Sequence, residues 1–139
     1  MRRVFADTSY YIALLDRDDS FHEMALRTGS ELDRDDTRWF TSHAVVFEVL
    51  AFFSRGGPGS RARAAELIDR LRESAVVDIV ATSGALLDAA LDLYRQRLDK
   101  RYSLADCLGM VICRERRITE VLTTDGDFEA EGFTILLKS

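Results

Sequence analysis

Short apolar runs alternate with longer stretches of helical period along this chain: RVFA at residues 3–6, WFT at 39–41, VVDIVA at 76–81, EVLT at 120–123 and FTILL at 133–137. Parallel strands need a long crossover between them, and a helix is the usual crossover, so the alternation predicts an α/β fold with a parallel sheet of five strands. Thr8-Ser9 begins a helix directly after the first strand. Ser20-Phe21-His22-Glu23 has capping-box spacing and starts a helix running towards Gly29 or Leu32. Ser103-Leu104-Ala105-Asp106 offers the same signal for a later helix, while 43–54 and 61–74 read as two helices separated by the breaker Gly56-Gly57-Pro58-Gly59.

With 139 residues and 47% hydrophobic content the chain can bury a substantial core, and no repeat or low-complexity tract divides it. The net charge of -5 argues against a binder of polyanions over its whole surface. Cys107 and Cys113 have neither CxxC nor zinc-motif spacing and read as small core residues, and His22 and His43 cannot make a histidine-rich metal site. No apolar run reaches the length of a membrane span, and Asp7 and the acids at 16–19 interrupt any signal-peptide core. The expected compartment is a reducing cytoplasm.

Four acids sit where apolar residues dominate. Asp7 interrupts RRVFADTSYYIALL at 2–15, Glu48 lies in AVVFEVLAFF at 44–53, Asp106 is the sole charge in LADCLGMVIC at 104–113, and Asp125 follows a strand in VLTTDGDF. Taken singly, helix capping or turn formation accounts for Asp7, Asp106 and Asp125 equally well. Glu48 is expected to be at least partly buried in mid-helix, where neither a free amide nor a dipole end awaits it. Together they fall at or near the carboxyl ends of strands, where parallel α/β sheets bind ligands. Two carboxylates about 5 Å apart repel by roughly 3 kcal/mol at an effective dielectric of 20, so such a set takes up protons or holds a hard cation. An all-carboxylate donor set without histidine or thiolate points to Mg²⁺ or Mn²⁺ and to phosphodiester hydrolysis.

In order, FADTSYYIALL, VVFEVLAF, YSLADCLGMVICRE and VLTTDGDF resemble the four acidic motifs of PIN-domain nucleases, and the compact length is similar to that of VapC-type toxins of bacterial toxin-antitoxin pairs. The resemblance implies that Asp7, Glu48, Asp106 and Asp125 form the metal site and carry catalysis. Thr123 is then a supporting hydroxyl and Asp127 an accessory acid. It also implies one domain over 1–139 with a five-stranded parallel sheet flanked by helices, RNA as substrate, a cognate antitoxin protein as partner, and a homodimer. Because the chain is net acidic, RNA affinity has to come from local patches: Arg55, Arg61 and Arg63 around the glycine stretch, and Arg95, Arg97, Lys100 and Arg101 before the Asp106 helix. A solvated helical face accounts for both groups equally well.

Other classes fit less well. A phosphoacceptor receiver needs an adjacent acid pair after the first strand, a haloacid-dehalogenase-type phosphatase needs an aspartate where Ser9 stands, and a dinucleotide enzyme needs glycines where the chain reads DTSYY. The remaining alternative is a catalytically silent PIN fold that acts as a binding module for a protein partner, against which the four intact acids argue.

Overall fold

The computed structural model describes residues 1–138. Its sheet has five parallel strands in the order β3-β2-β1-β4-β5: β1 (Arg2–Ala6), β2 (Thr37–Ser42), β3 (Val77–Val80), β4 (Glu120–Leu122) and β5 (Thr134–Ile135). The helices are α1 (Thr8–Leu15), α2 (His22–Arg34), α3 (His43–Phe53), α4 (Gly57–Glu73), α5 (Gly84–Gln96), α6 (Leu104–Glu115) and the single turn α7 (Asp127–Ala130). The expected α/β architecture of a five-stranded parallel sheet flanked by helices is the one observed.

β1 is central. Val4, Phe5 and Ala6 have no exposed surface, as expected of a strand covered on both faces, which explains why it reads as a continuous apolar run rather than an alternation. Val4 pairs with Trp39 on one side and with Glu120 on the other. From β1 the chain runs outward through β2 to β3, crosses back by α5 and α6, and lays β4 against the other side of β1. The order therefore reverses at the seam between β1 and β4, and the crevice beyond their carboxyl ends is where such sheets bind ligands. Helix α6 comes close to that seam at Gly109, where an added Cβ would lie 3.0 Å from the Phe5 ring.

Three local expectations are corrected. The Ser20 capping box does not form: α2 starts at His22 with Phe21 as its cap, and no side chain caps it. Asp16 and Asp19 instead accept the amides of Asp18 and Phe21 at 3.0 and 2.8 Å, folding the preceding segment into turns, a competition short acidic side chains often win. The Gly57-Pro58-Gly59 stretch is the first turn of α4 rather than a loop, because proline there has no intrahelical N–H to lose. Arg61 and Arg63 consequently stand on a helix, and Arg55 on the 3-10 turn Ser54–Gly56. Glu48 is exposed, because the neighbouring apolar face of α3 is exposed too, with Phe47 at 66% and Phe52 at 47%. Cys107 and Cys113 are buried free thiols, as read from their spacing.

Candidate metal centre

Asp7 follows β1 and occupies the N-cap position of α1, yet its carboxylate makes no capping bond to that helix. It turns to the seam, where Thr123 at the end of β4 donates its hydroxyl hydrogen to Asp7 Oδ2 at 3.0 Å. That choice fixes the surrounding network. With its hydrogen committed, Thr123 Oγ1 accepts from the Asp125 amide at 3.0 Å and from the Ser9 hydroxyl at 3.1 Å, and Ser9 Oγ accepts the Thr124 amide at 3.0 Å. One buried hydroxyl thereby links the residues following β1 to those following β4.

Asp106 is the third residue of α6 and completes a capping box: Ser103 Oγ accepts the Asp106 amide at 3.0 Å and Asp106 Oδ2 accepts the Ser103 amide at 2.9 Å. The capping reading and the site reading of Asp106 are therefore both met by one side chain. Asp125 Oδ1 accepts the Asp127 amide at 2.9 Å, which starts α7 beside it. Glu48 reaches across from α3, and Oε1 accepts the Thr8 hydroxyl at 2.6 Å.

Carboxylate oxygens of Asp106, Asp125 and Asp127 lie within 4.8 Å of one another. Asp127, expected as an accessory acid, thus belongs to the tightest triad. Asp7 and Glu48 belong to the same field. Burial, followed by the charges of Asp106 and Glu48, pushes Asp7 up to about 7, against the opposing hydrogen bonds from the Thr8 amide and Thr123. Asp106 is raised by burial and then by the charges of Asp125 and Glu48. Partial burial and the charge of Asp125 raise Asp127, which Lys100 partly offsets. None of these five acids is ion-paired to arginine or lysine among the described residues. Oxygen-only donors, close spacing and no cationic partner fit a hard divalent cation.

The basic candidates divide. Lys100 is exposed and its charge lowers the proton affinity of Asp127, and Arg101 is exposed one residue further on. Arg97 is engaged, with Nε 2.9 Å from Glu131 Oε2, and Arg95 pairs with Asp92 at 3.2 Å. Arg55 and Arg63 line a cleft of about 490 Å³ with Phe52 and Leu15, Arg63 also donating to the Leu15 carbonyl, while Arg61 is exposed on α4. Two features are not marked by the sequence motifs: the hydroxyls of Thr8 and Ser9, whose signal is their position directly after Asp7, and Glu131, whose partners are distant along the chain.

The five-stranded parallel sheet gathers its acids at the switch point, and residues 4–133 match the model of the PIN domain; the chain belongs to that family. A crystal structure of VapC20 from Mycobacterium tuberculosis, described as a sarcin-ricin loop cleaving toxin, superposes with a TM-score of 0.80 at 27% identity, covering 94% of this chain and 96% of that one. FitAcB from Neisseria gonorrhoeae shares the fold, with a TM-score of 0.66 at 17% identity over 95% of each chain. No curated protein sequence matches the chain. No helix among the described residues is long and apolar enough to cross a membrane.

Proposed function

We propose that the chain, over residues 1–139, is a Mg²⁺- or Mn²⁺-dependent endoribonuclease and the toxin of a toxin-antitoxin pair, with Asp7, Glu48, Asp106 and Asp125 as the metal-binding catalytic acids and Asp127 beside them. The observation that carries this reading is the convergence of the Asp106, Asp125 and Asp127 oxygens within 4.8 Å at the switch point. Family membership and the likeness to a toxin that cleaves the sarcin-ricin loop support the RNA substrate and the antitoxin partner. The exposed Phe47 and Phe52 on α3 offer apolar surface for that partner or for a homodimer.

A bound divalent cation would supply an ionised water and neutralise charge developing on the phosphate. The chain's own residues do the rest. Thr123 holds the Asp7 carboxylate towards the seam, Thr8 orients Glu48, and the Ser103 box fixes Asp106 at the start of α6. Asp7, which burial pushes up to about 7, would supply a carboxylate oxygen to the cation. Lys100 and Arg101 carry positive charge on the chain segment leading into α6, suited to the backbone of a single strand.

The test is to incubate the purified protein, free of any partner, with total RNA with and without Mg²⁺ and to map the cut ends. Discrete metal-dependent ends are expected. Tight association with a protein partner combined with no cleavage of any RNA favours the silent binding module instead.

A further inference from the structure

Glu131 follows the last residue of α7 and lies outside the acid cluster, yet several donors converge on its carboxylate, whose side chain is 4% exposed. Oε2 accepts from Arg97 Nε at 2.9 Å and from the Tyr102 hydroxyl at 3.0 Å. Oε1 accepts from Arg114 Nη2 at 2.8 Å and from Arg97 Nη2 at 3.4 Å. The donors come from the end of α5, from the connection into α6, and from the last turn of α6.

Two of those connections lead straight to the acids. Tyr102, itself buried, precedes Ser103, the cap that holds Asp106. Glu131 caps the single helical turn that Asp127 begins, and Asp125 is bonded to the start of that turn. None of the three clustered acids is ion-paired to arginine or lysine among the described residues, and Lys100 offsets only part of the charge at Asp127, so other contacts have to keep the start of α6 and α7 close before a cation is bound.

The geometry points to Glu131 as a positioning residue for the metal centre: by gripping Tyr102 and Arg97 it sets the distance between Asp106 on α6 and the pair Asp125 and Asp127, which lead into and begin α7. The inference rests on the proposal that these acids hold a divalent cation. A merely structural ion pair stabilises the fold without favouring the cleft. A positioning pair changes how well the cleft binds metal, as residues that orient ligands commonly do.

The test is Mn²⁺ binding by the intact chain, measured by isothermal titration, with thermal unfolding recorded for each variant. Tyr102→Phe removes one hydroxyl and keeps the buried ring, so folding is preserved. It is expected to weaken Mn²⁺ binding roughly 3- to 10-fold, and Glu131→Gln about 10-fold or more, the usual range for loss of a group that orients a metal ligand. Glu120→Gln breaks the Arg2–Glu120 pair, 2.8 Å long at the opposite end of the sheet, and serves as the control that lowers stability without touching the cleft. Its Kd should stay at the parent value. Parent-like Kd values in both Tyr102→Phe and Glu131→Gln, or equal weakening in Glu120→Gln, overturn the positioning role. Asp106→Asn separates this from the broader reading: if the parent binds no Mn²⁺, or Asp106→Asn binds it as the parent does, the metal centre itself is wrong.

Discussion

Thr123 donates its hydroxyl hydrogen to Asp7 Oδ2 across the seam between β1 and β4, at 3.0 Å, and both residues are buried. The same oxygen accepts the Asp125 amide, so one side chain sets the position of two acids that are 118 residues apart in sequence.

Thr123→Val keeps the shape and deletes the hydroxyl, leaving the Asp125 amide and the Ser9 hydroxyl without their acceptor. Orphaning such groups costs about 1 to 3 kcal/mol, and loss of a group that orients a metal ligand costs roughly 10- to 100-fold in metal affinity. Thr123→Ser should restore both. Denaturant unfolding and Mn²⁺ titration of the three proteins check this; a valine variant matching the parent in both measurements contradicts the network.

Asp7 is the buried acid of the cluster, 7% exposed, and its proton affinity near 7 stands above the ordinary 3.8. A carboxyl raised in the folded state favours folding fully below its unfolded value and loses that contribution as pH rises through the folded one. In chelator, the parent should therefore lose stability between about pH 4 and pH 7 from this group, while Asp7→Asn does not. Above that window the variant is expected to be more stable by about 2 kcal/mol, a typical gain where functional-site strain is relieved. Thermal melts across pH in chelator measure the gap; an Asn variant less stable than the parent at pH 8 means the carboxylate is not strained.

Glu131 behaves oppositely. The Arg97, Arg114 and Tyr102 hydrogen bonds outweigh burial, which by itself would raise it, and hold Glu131 at about 2, below the ordinary 4.5. Its contribution is whole above about pH 4.5 and is lost as pH falls towards 2. Because the arginines are partly exposed, about 2 kcal/mol is the expected size after screening. Glu131→Gln should flatten acid unfolding over that interval, and an unchanged acid slope contradicts the assignment.

Gly109→Ala weighs two effects. Alanine gains up to about 1 kcal/mol of helix propensity over glycine. Its Cβ would meet two atoms of the buried Phe5 ring at 3.0 and 3.2 Å, with no exposed space for the ring to enter. Overpacking of this kind costs about 1 to 3 kcal/mol, so net destabilisation is expected. A rise in Tm would show that α6 can lift from β1 without cost.

Asp7 and Asp106 were legible because each is a lone charge in an apolar run, and the strand ends around them follow from the same runs. Glu48 was legible as a member of the set but not in its surroundings: apolar residues on every side suggest burial, and pattern alone does not distinguish a core-facing helix face from one left open to solvent, as Phe47 and Phe52 show. Asp127 reads only as an accessory acid because α7 is a single turn, too short for any periodicity, and it is this turn that brings Asp127 beside Asp106 and Asp125. The Ser103 box formed and the Ser20 box did not, although both have the same spacing. Neighbouring acids at 16 and 19 offered the backbone a competing set of turns. Glu131 left no trace in the sequence, since its partners come from 17 to 34 residues away.

If the gathered acids cut RNA through a divalent cation, the cutting needs both the metal and the acids, so total RNA is followed with the purified parent and with Asp125→Asn, each in excess chelator and then in millimolar Mg²⁺. Discrete cleavage by the parent in Mg²⁺ alone, and none by Asp125→Asn in either condition, is expected. Cleavage by the parent that persists undiminished in chelator, or by Asp125→Asn at the parent's rate, would contradict that requirement.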